Sequence, residues 1–396
     1  MNELLILSLI IIAAFGVATF VSRIGIPRVS VYIIFGVLFS PELFGRLFEF
    51  PFQSLSPLIT NLSLGIIAFL IGLEIDRGYL RDNKKALMLA SFGESLLAVL
   101  TVGFFVFIYA QFTESDLISL KFVLALAAVA ATTAPASTVA VIEEVRAKGP
   151  LVTLLFGIVI IDDAIGVLVF EVLTGLNGNG LGLTSILTEF YKIFGSLALG
   201  GGLGILSGRL SRIFRQEELR FPIFVSVVVL CVSAASLLGF SHILACMALG
   251  LATQYFSNQD REDLILPIKH IEELVFIVFF VFAGLHFSPT LFKDSYILIL
   301  IYVFSRFLGK YMGAFAGAKL GGIKSETAKW VGLGLIPQAG VAIGLALSLS
   351  HKPGFEEEAK IIINIVLGST IIYEILGPIL ARYSLLKSGA SRSHHL

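Results

Sequence analysis

Charge is scarce in this sequence: only 14% of its 396 residues are Asp, Glu, Lys or Arg, against about 25% in a soluble globular domain. With 57% hydrophobic residues and a mean hydropathy of +0.94, the chain cannot cover a water-soluble globule with polar groups. It reads instead as an all-α polytopic membrane protein. Cysteine is nearly missing. Cys231 and Cys246 both fall inside apolar stretches, so neither a disulfide framework nor a zinc site is expected. There is no basic excess, since 28 Lys and Arg balance 28 Asp and Glu, and a nucleic-acid-binding face is not expected. A basic segment ahead of the first apolar run is also lacking. Leu4 to Val21 therefore reads as a retained first span and not as a cleaved signal peptide.

What the chain does have is long hydrophobic runs separated by charged residues or by Gly and Pro. They give thirteen candidate spans, with the weakest division at Gly239 to Ser241. Alternate loops sort the basic residues. Most of them, including Arg28, Lys84, Lys85, Arg146, Lys148, Arg209 and Arg212, fall on one side, while Arg46, Lys121, Lys192 and Lys352 fall on the other. By the positive-inside rule the N-terminus lies outside and the C-terminus in the cytoplasm, with 384–396 as a short cytoplasmic tail. Thirteen spans divide into six, one linker and six. The linker reverses the chain direction, which predicts two inverted six-helix repeats.

Two spans are interrupted at matching places. The fifth, 121–143, carries Thr132-Thr133-Ala134-Pro135-Ala136; the twelfth, 327–350, carries Gly334-Leu335-Ile336-Pro337-Gln338-Ala339-Gly340. A proline in mid-membrane removes a backbone hydrogen bond and frees a carbonyl. Either alone is explained by a simple proline kink. The pair, in corresponding positions of two halves, points to discontinuous helices around a transport site.

The few charges inside spans are the remaining signal. Asp162 and Asp163 sit near the middle of the sixth span, 150–174, where an unpaired charge costs roughly 3 kcal/mol or more. Neighbours on a helix differ by about 100°, so the two carboxylates need different partners. A carboxylate beside a like charge can exchange a proton for a metal cation. In the eleventh span, 292–318, Arg306 and Lys310 are four apart and share a helix face. Lys310 is the candidate for a pair with an Asp that breaks and reforms, because a buried Lys can lose its charge while Arg cannot. Arg306 is the candidate for a permanent ion pair with Glu94, which lies in the fourth span, 86–110. Both pairs could equally be stabilising glue. Gly309, Gly313 and Gly317 form a small-residue ridge beside them. Glu74 and Asp76 read as interfacial, and His242, His270 and His286 as packing near span ends. Asn364 reads as interhelical glue, and Glu171 and Glu374 as polar groups that packing or an ion path could use.

The stretches ATTAPASTVAVIEE, GIVIIDDAIGVLVFE, SRFLGKYMGA, GLIPQAGVAIGLALSL and YEILGPIL, in that order, resemble the monovalent cation:proton antiporter-2 family of bacterial sodium/proton antiporters, over essentially all of Leu4 to Arg382. The resemblance implies a homodimer in the cell inner membrane. Residues 1–383 would form one transporter unit, with a dimerisation domain from about 4–75 and 185–287 and a core domain from about 86–174 and 292–383. Two crossed discontinuous helices would hold the ion site. It also implies Asp163 as the ion and proton carrier, Asp162 as the partner of Lys310, and Thr132 and Thr133 at the crossing. Two carboxylates with a lysine mark electrogenic members. Two departures stand out: the nucleotide-binding regulatory domain of the potassium-efflux branch is lacking, and Gln338 follows the proline where some relatives carry a charge. The expected cycle binds dehydrated sodium or lithium at Asp163 and Asp162, helped by backbone carbonyls of the fifth span, and moves Lys310 between a charged pair and a neutral form. No cofactor is expected beyond the transported ions, with potassium exchange or a gated potassium pathway as the alternative. A channel would show carbonyl filter loops, which the sequence lacks. An intramembrane aspartyl protease needs two aspartates converging from different segments, and adjacent residues diverge.

Overall fold

The computed structural model describes residues 3–22, 28–44, 52–74, 84–113, 118–178, 183–214, 216–257 and 259–390. Among these every regular element is an α-helix. The first four are α1 (Glu3–Val21), α2 (Arg28–Leu38), α3 (Phe52–Glu74) and α4 (Lys84–Thr113). Two short helices, α5 (Leu120–Val129) and α6 (Pro135–Glu144), precede α7 (Pro150–Gly178), α8 (Leu183–Ile213) and α9 (Glu217–Leu238). Then come α10 (His242–Ser257), α11 (Arg261–Leu285) and α12 (Pro289–Leu320), and finally α13 (Ser325–Gly334), α14 (Gly340–Leu349) and α15 (Glu356–Lys387). Six segments, in α4, α7, α8, α9, α12 and α15, are long and apolar enough to cross a membrane.

The punctuation acts where the residues allow. Gly239 ends α9 in the left-handed conformation, φ 69°, and the Phe240 N–H closes back on the Ala235 carbonyl at 2.8 Å. The division expected at Gly239 to Ser241 lies there. Ser288 caps α12 by accepting the Leu291 N–H, with Pro289 in the first turn. Several helices outrun their apolar stretch. α11 starts at Arg261, with Glu262 and Asp263 in its first turn, because acids there suit the positive end of the helix dipole although hydropathy does not register them. α15 likewise continues to Lys387, so the first residues of the tail expected over 384–396 belong to the last helix. Its Ser384 hydroxyl donates to the Trp330 carbonyl, and just past its end the Ala390 carbonyl accepts from Lys148 N–H. The tail from 391 onward, and with it Arg23, Arg46, Arg77, Arg81 and Asp76, lies outside the described residues.

The chain divides into two compact units. One comprises Met1–Thr19, Tyr32–Asp76 and Gly175–Leu285; the other comprises Phe20–Val31, Arg77–Thr174 and His286–Leu396. Within the first, glycines let backbones meet. Gly200, Gly204 and Gly208 of α8 face the α10 backbone from Ala245 to Ser257, Gly72 and Gly250 bring α3 onto α10, and Gly36 and Gly284 bring α2 onto α11.

In the second unit α4 and α12 run antiparallel. Gly309 lies on Leu97 and Ala98, Gly313 on Gly93 and Glu94, and Gly317 on Leu89 and Ala90. The ridge read from the sequence thus has the α4 backbone against it. Alongside, Leu151, Leu154, Leu155 and Ile158 of α7 pack with Leu87, Ala314, Ala318, Val331 and Leu335 in one apolar core.

Candidate functional site

The expected interruptions are real breaks. α5 stops at Val129 and α6 starts at Pro135; α13 stops at Gly334 and α14 starts at Gly340. Each break exposes backbone groups that need partners in the absence of water. The two breaks lie together and answer part of that need themselves. The Ala134 N–H donates to the Pro337 carbonyl at 2.9 Å, and the Thr138 hydroxyl to the Gly334 carbonyl at 2.7 Å. The Thr133 hydroxyl is 3.5 Å from the Leu335 carbonyl. Thr132 bonds back to Val129 at 3.1 Å, and its methyl lies where Gly166 of α7 leaves space for it.

The rest of the need is met from one face of α12, where Tyr302, Arg306 and Lys310 recur every four residues. Arg306 donates from Nε to Ala130 O at 3.1 Å, from Nη2 to Thr132 O at 2.6 Å and from Nη1 to Ile336 O at 2.8 Å, so one guanidinium holds carbonyls of both breaks. Its face lies 4.6 Å from the centre of the Tyr373 ring, whose hydroxyl donates to Val303 O. Gln338 donates to Val129 O at 3.2 Å and pairs with the Tyr302 hydroxyl. Lys310 Nζ donates to the Ala131 carbonyl and, at 2.7 Å, to the Thr133 hydroxyl. Carbonyls of three consecutive residues, Ala130 to Thr132, are thereby engaged by Arg306 and Lys310 in this conformation. That departs from the expected role of fifth-span carbonyls as ion ligands.

The carboxylates gather around the same lysine. Nζ is 2.9 Å from Asp162 Oδ2 and 2.6 Å from Glu94 Oε2, and Ser95 Oγ lies 2.8 Å from Asp162 Oδ1 and 3.0 Å from Glu94 Oε1. Glu94, Asp162, Asp163, Arg306 and Lys310 all have 0% exposure. The pairing expected between Arg306 and Glu94 is not what forms: Glu94 goes to Lys310, one helical turn further on, and Arg306 goes to carbonyls. The antiparallel register of α4 on α12 decides this, because Gly313 places Glu94 beside the Lys310 turn. Asp163, next to Asp162 on α7, is buried in the same stretch.

Chemically, the arrangement is a buried lysine between two carboxylates, Asp162 and Glu94, with a third, Asp163, next in the chain, where two helices are interrupted. The side chain of Pro135 is not described, whereas the Pro337 ring packs against Gly377 of α15. Glu374 is buried on α15 and accepts from Ser137, three positions into α6, at 2.9 Å. Asn364 accepts the Ser288 N–H at 2.7 Å and so ties α15 to the start of α12. Glu171 pairs with Lys352 at 2.7 Å, and that ammonium also bonds Thr174. His242 begins α10, while His270 and His286 are exposed. The sequence reading gave no role to Ser95, Tyr302 or Tyr373. Only Tyr302 had a signal, its place four residues before Arg306 on the charged face.

Three kinds of comparison bear on this site. A family model described as "Sodium/hydrogen exchanger, transmembrane" matches residues 9–382. A Na(+)/H(+) antiporter of Enterococcus hirae is 26% identical over 392 residues, spanning 96% of this chain and 97% of the relative. The Na(+)/H(+) antiporter NhaG of Bacillus atrophaeus is 25% identical over 335 residues, spanning 78% of this chain and 60% of that protein. Among solved structures, the sodium proton antiporter MjNhaP1 from Methanocaldococcus jannaschii at pH 8 superposes with a TM-score of 0.77. It is 19% identical and covers 97% of this chain and 99% of the other, a likeness of fold.

Proposed function

The chain belongs to the sodium/hydrogen exchanger family, and from that premise we propose that it is a secondary active antiporter exchanging sodium or lithium for protons by alternating access. Families of this kind transport ions and are not enzymes. The relatives named as Na(+)/H(+) antiporters favour sodium over the potassium alternative.

The observation that carries the reading is the Lys310–Asp162 pair, 2.9 Å and fully buried, beside Asp163 at the meeting of two broken helices. A buried ion pair with one removable partner is a poor stabiliser and a good switch. In the proposed cycle a dehydrated cation takes Asp163, and Asp162 turns from Lys310 to join it. On the return one proton replaces the cation on Asp163 and a second is taken up by the Asp162–Glu94–Lys310 cluster, so that two protons cross for each cation. Since ion and proton compete for the same carboxylate, loaded and protonated forms alternate and exchange is obligatory. Each loaded form must favour the movement that exposes it to the other side. Thr132 and Thr133 line the path, while Arg306, Gln338, Pro135 and Pro337 shape it.

Thirteen spans, two inverted repeats, N-terminus outside, a homodimer in the inner membrane and electrogenic stoichiometry complete the proposal. The four uninterrupted helices α4, α7, α12 and α15, together with the two broken ones, support a six-span core. The basic loops support the orientation.

Transport in proteoliposomes tests the carrier assignment. Asp163→Asn is expected to abolish sodium-driven proton movement, and coupled exchange persisting at wild-type rate in that variant would overturn the role of Asp163.

A further inference from the structure

In that cycle Asp162 leaves Lys310, and the lysine must then be held by something else. A buried ammonium deprived of its partner is strongly unfavourable, which would oppose cation binding at each turnover. Glu94 stands at the required place. Its Oε2 is 2.6 Å from Nζ, nearer than Asp162 Oδ2 at 2.9 Å, and no part of either carboxylate or of the lysine reaches solvent.

The two ion pairs are mounted differently. Glu94 and Lys310 sit on α4 and α12, whose backbones touch through Gly93, Gly309, Gly313 and Gly317, and Thr101 of α4 ties the two further by donating to the Ser305 carbonyl at 2.9 Å. Asp162 sits on α7, whose Leu151, Leu154, Leu155 and Ile158 share a side-chain core with Ala314 and Ala318 of α12. One pair is thus built into a helix pair clamped backbone to backbone, and the other joins helices that share a side-chain core. Ser95 completes a ring. Its hydroxyl has one proton and two carboxylates in reach, at 3.0 Å and 2.8 Å. When Asp162 turns away, that proton can remain donated to Glu94.

We infer that Glu94 is a positioning residue of the exchange, the fixed counter-charge that retains Lys310 while Asp162 is lent to the transported cation. The inference rests on the antiport reading. It makes release of Asp162 possible without loss of the lysine's charge, in contrast with the neutral lysine expected from the sequence.

The test measures cation binding apart from transport, as the sodium concentration giving half-maximal thermal stabilisation of the purified protein. Glu94→Gln leaves Asp162 as the lysine's one carboxylate, so the midpoint should rise about tenfold or more, a change of about 1.4 kcal/mol per tenfold. Glu94→Asp keeps the charge on a shorter arm and should fall between. In the Lys310→Gln background the same Glu94→Gln substitution should shift the midpoint less than about threefold, because its effect runs through the lysine. An unshifted midpoint in Glu94→Gln, or an equal shift in both backgrounds, overturns the inference. The first outcome would mean that Glu94 only packs, the second that it only adds negative field. Should the wild-type protein show neither stabilisation by sodium or lithium nor exchange, the antiport reading falls first and takes the inference with it.

Discussion

Arg306 spends a permanent charge on backbone. Its three donors reach carbonyls of both breaks, a task that requires the planar fork of a guanidinium. A lysine there is a point charge and cannot hold Ala130, Thr132 and Ile336 together. Arg306→Lys should therefore strand two carbonyls at about 1–3 kcal/mol each. The expected result is a lower unfolding temperature of the detergent-purified protein, and an unchanged one would show that the carbonyls find other partners. The same residue marks a limit of legibility. Asp162, Asp163, Lys310 and Arg306 stand out in the sequence because charge in an apolar run is rare. Which acid meets which base does not, since Arg306 and Lys310 differ by one helical turn of about 5.4 Å. That choice belongs to the register of α4 on α12, which no local pattern encodes.

α12 works as a single element with two faces. One carries Tyr302, Arg306 and Lys310 into the breaks, and the other carries Gly309, Gly313 and Gly317 onto α4. A Cβ on Gly313 would run into the Gly93 carbonyl oxygen and crowd Glu94 Cα. Gly313→Val should push the helices apart, cost on the order of 1–3 kcal/mol and loosen the Glu94–Lys310 pair. Lowered thermal stability together with a raised sodium midpoint would report both, whereas a stability loss alone would separate the clamp from the site. The ridge was legible as small residues every four positions, and the breaks as prolines with glycine and threonine around them. That the two breaks bond to each other, Ala134 to Pro337, was not, because the two residues stand in opposite halves of the chain and only the tertiary fold joins them. Helix ends escape hydropathy wherever a charged turn extends an apolar segment, as at Arg261 and Lys387.

At the scale of the whole molecule, a charge that travels through the membrane field is worth about 2.3 kcal/mol per 100 mV. Lys310→Gln removes the ammonium against which the cluster takes up its second proton, so it should retain exchange but lose its dependence on an imposed potential, read as proton flux in proteoliposomes with and without a potassium diffusion potential. Normal electrogenic exchange in that variant would remove Lys310 from the coupling. The carbonyls of Ala130, Ala131 and Thr132 would in an open channel be a cradle for a bare alkali ion. Here Arg306 and Lys310 fill it, tethered to the chain at an effective concentration that dilution and dialysis cannot lower. The protein therefore brings its own resident cations to the crossing, and the break stays assembled in salt-free medium, waiting for sodium without depending on it.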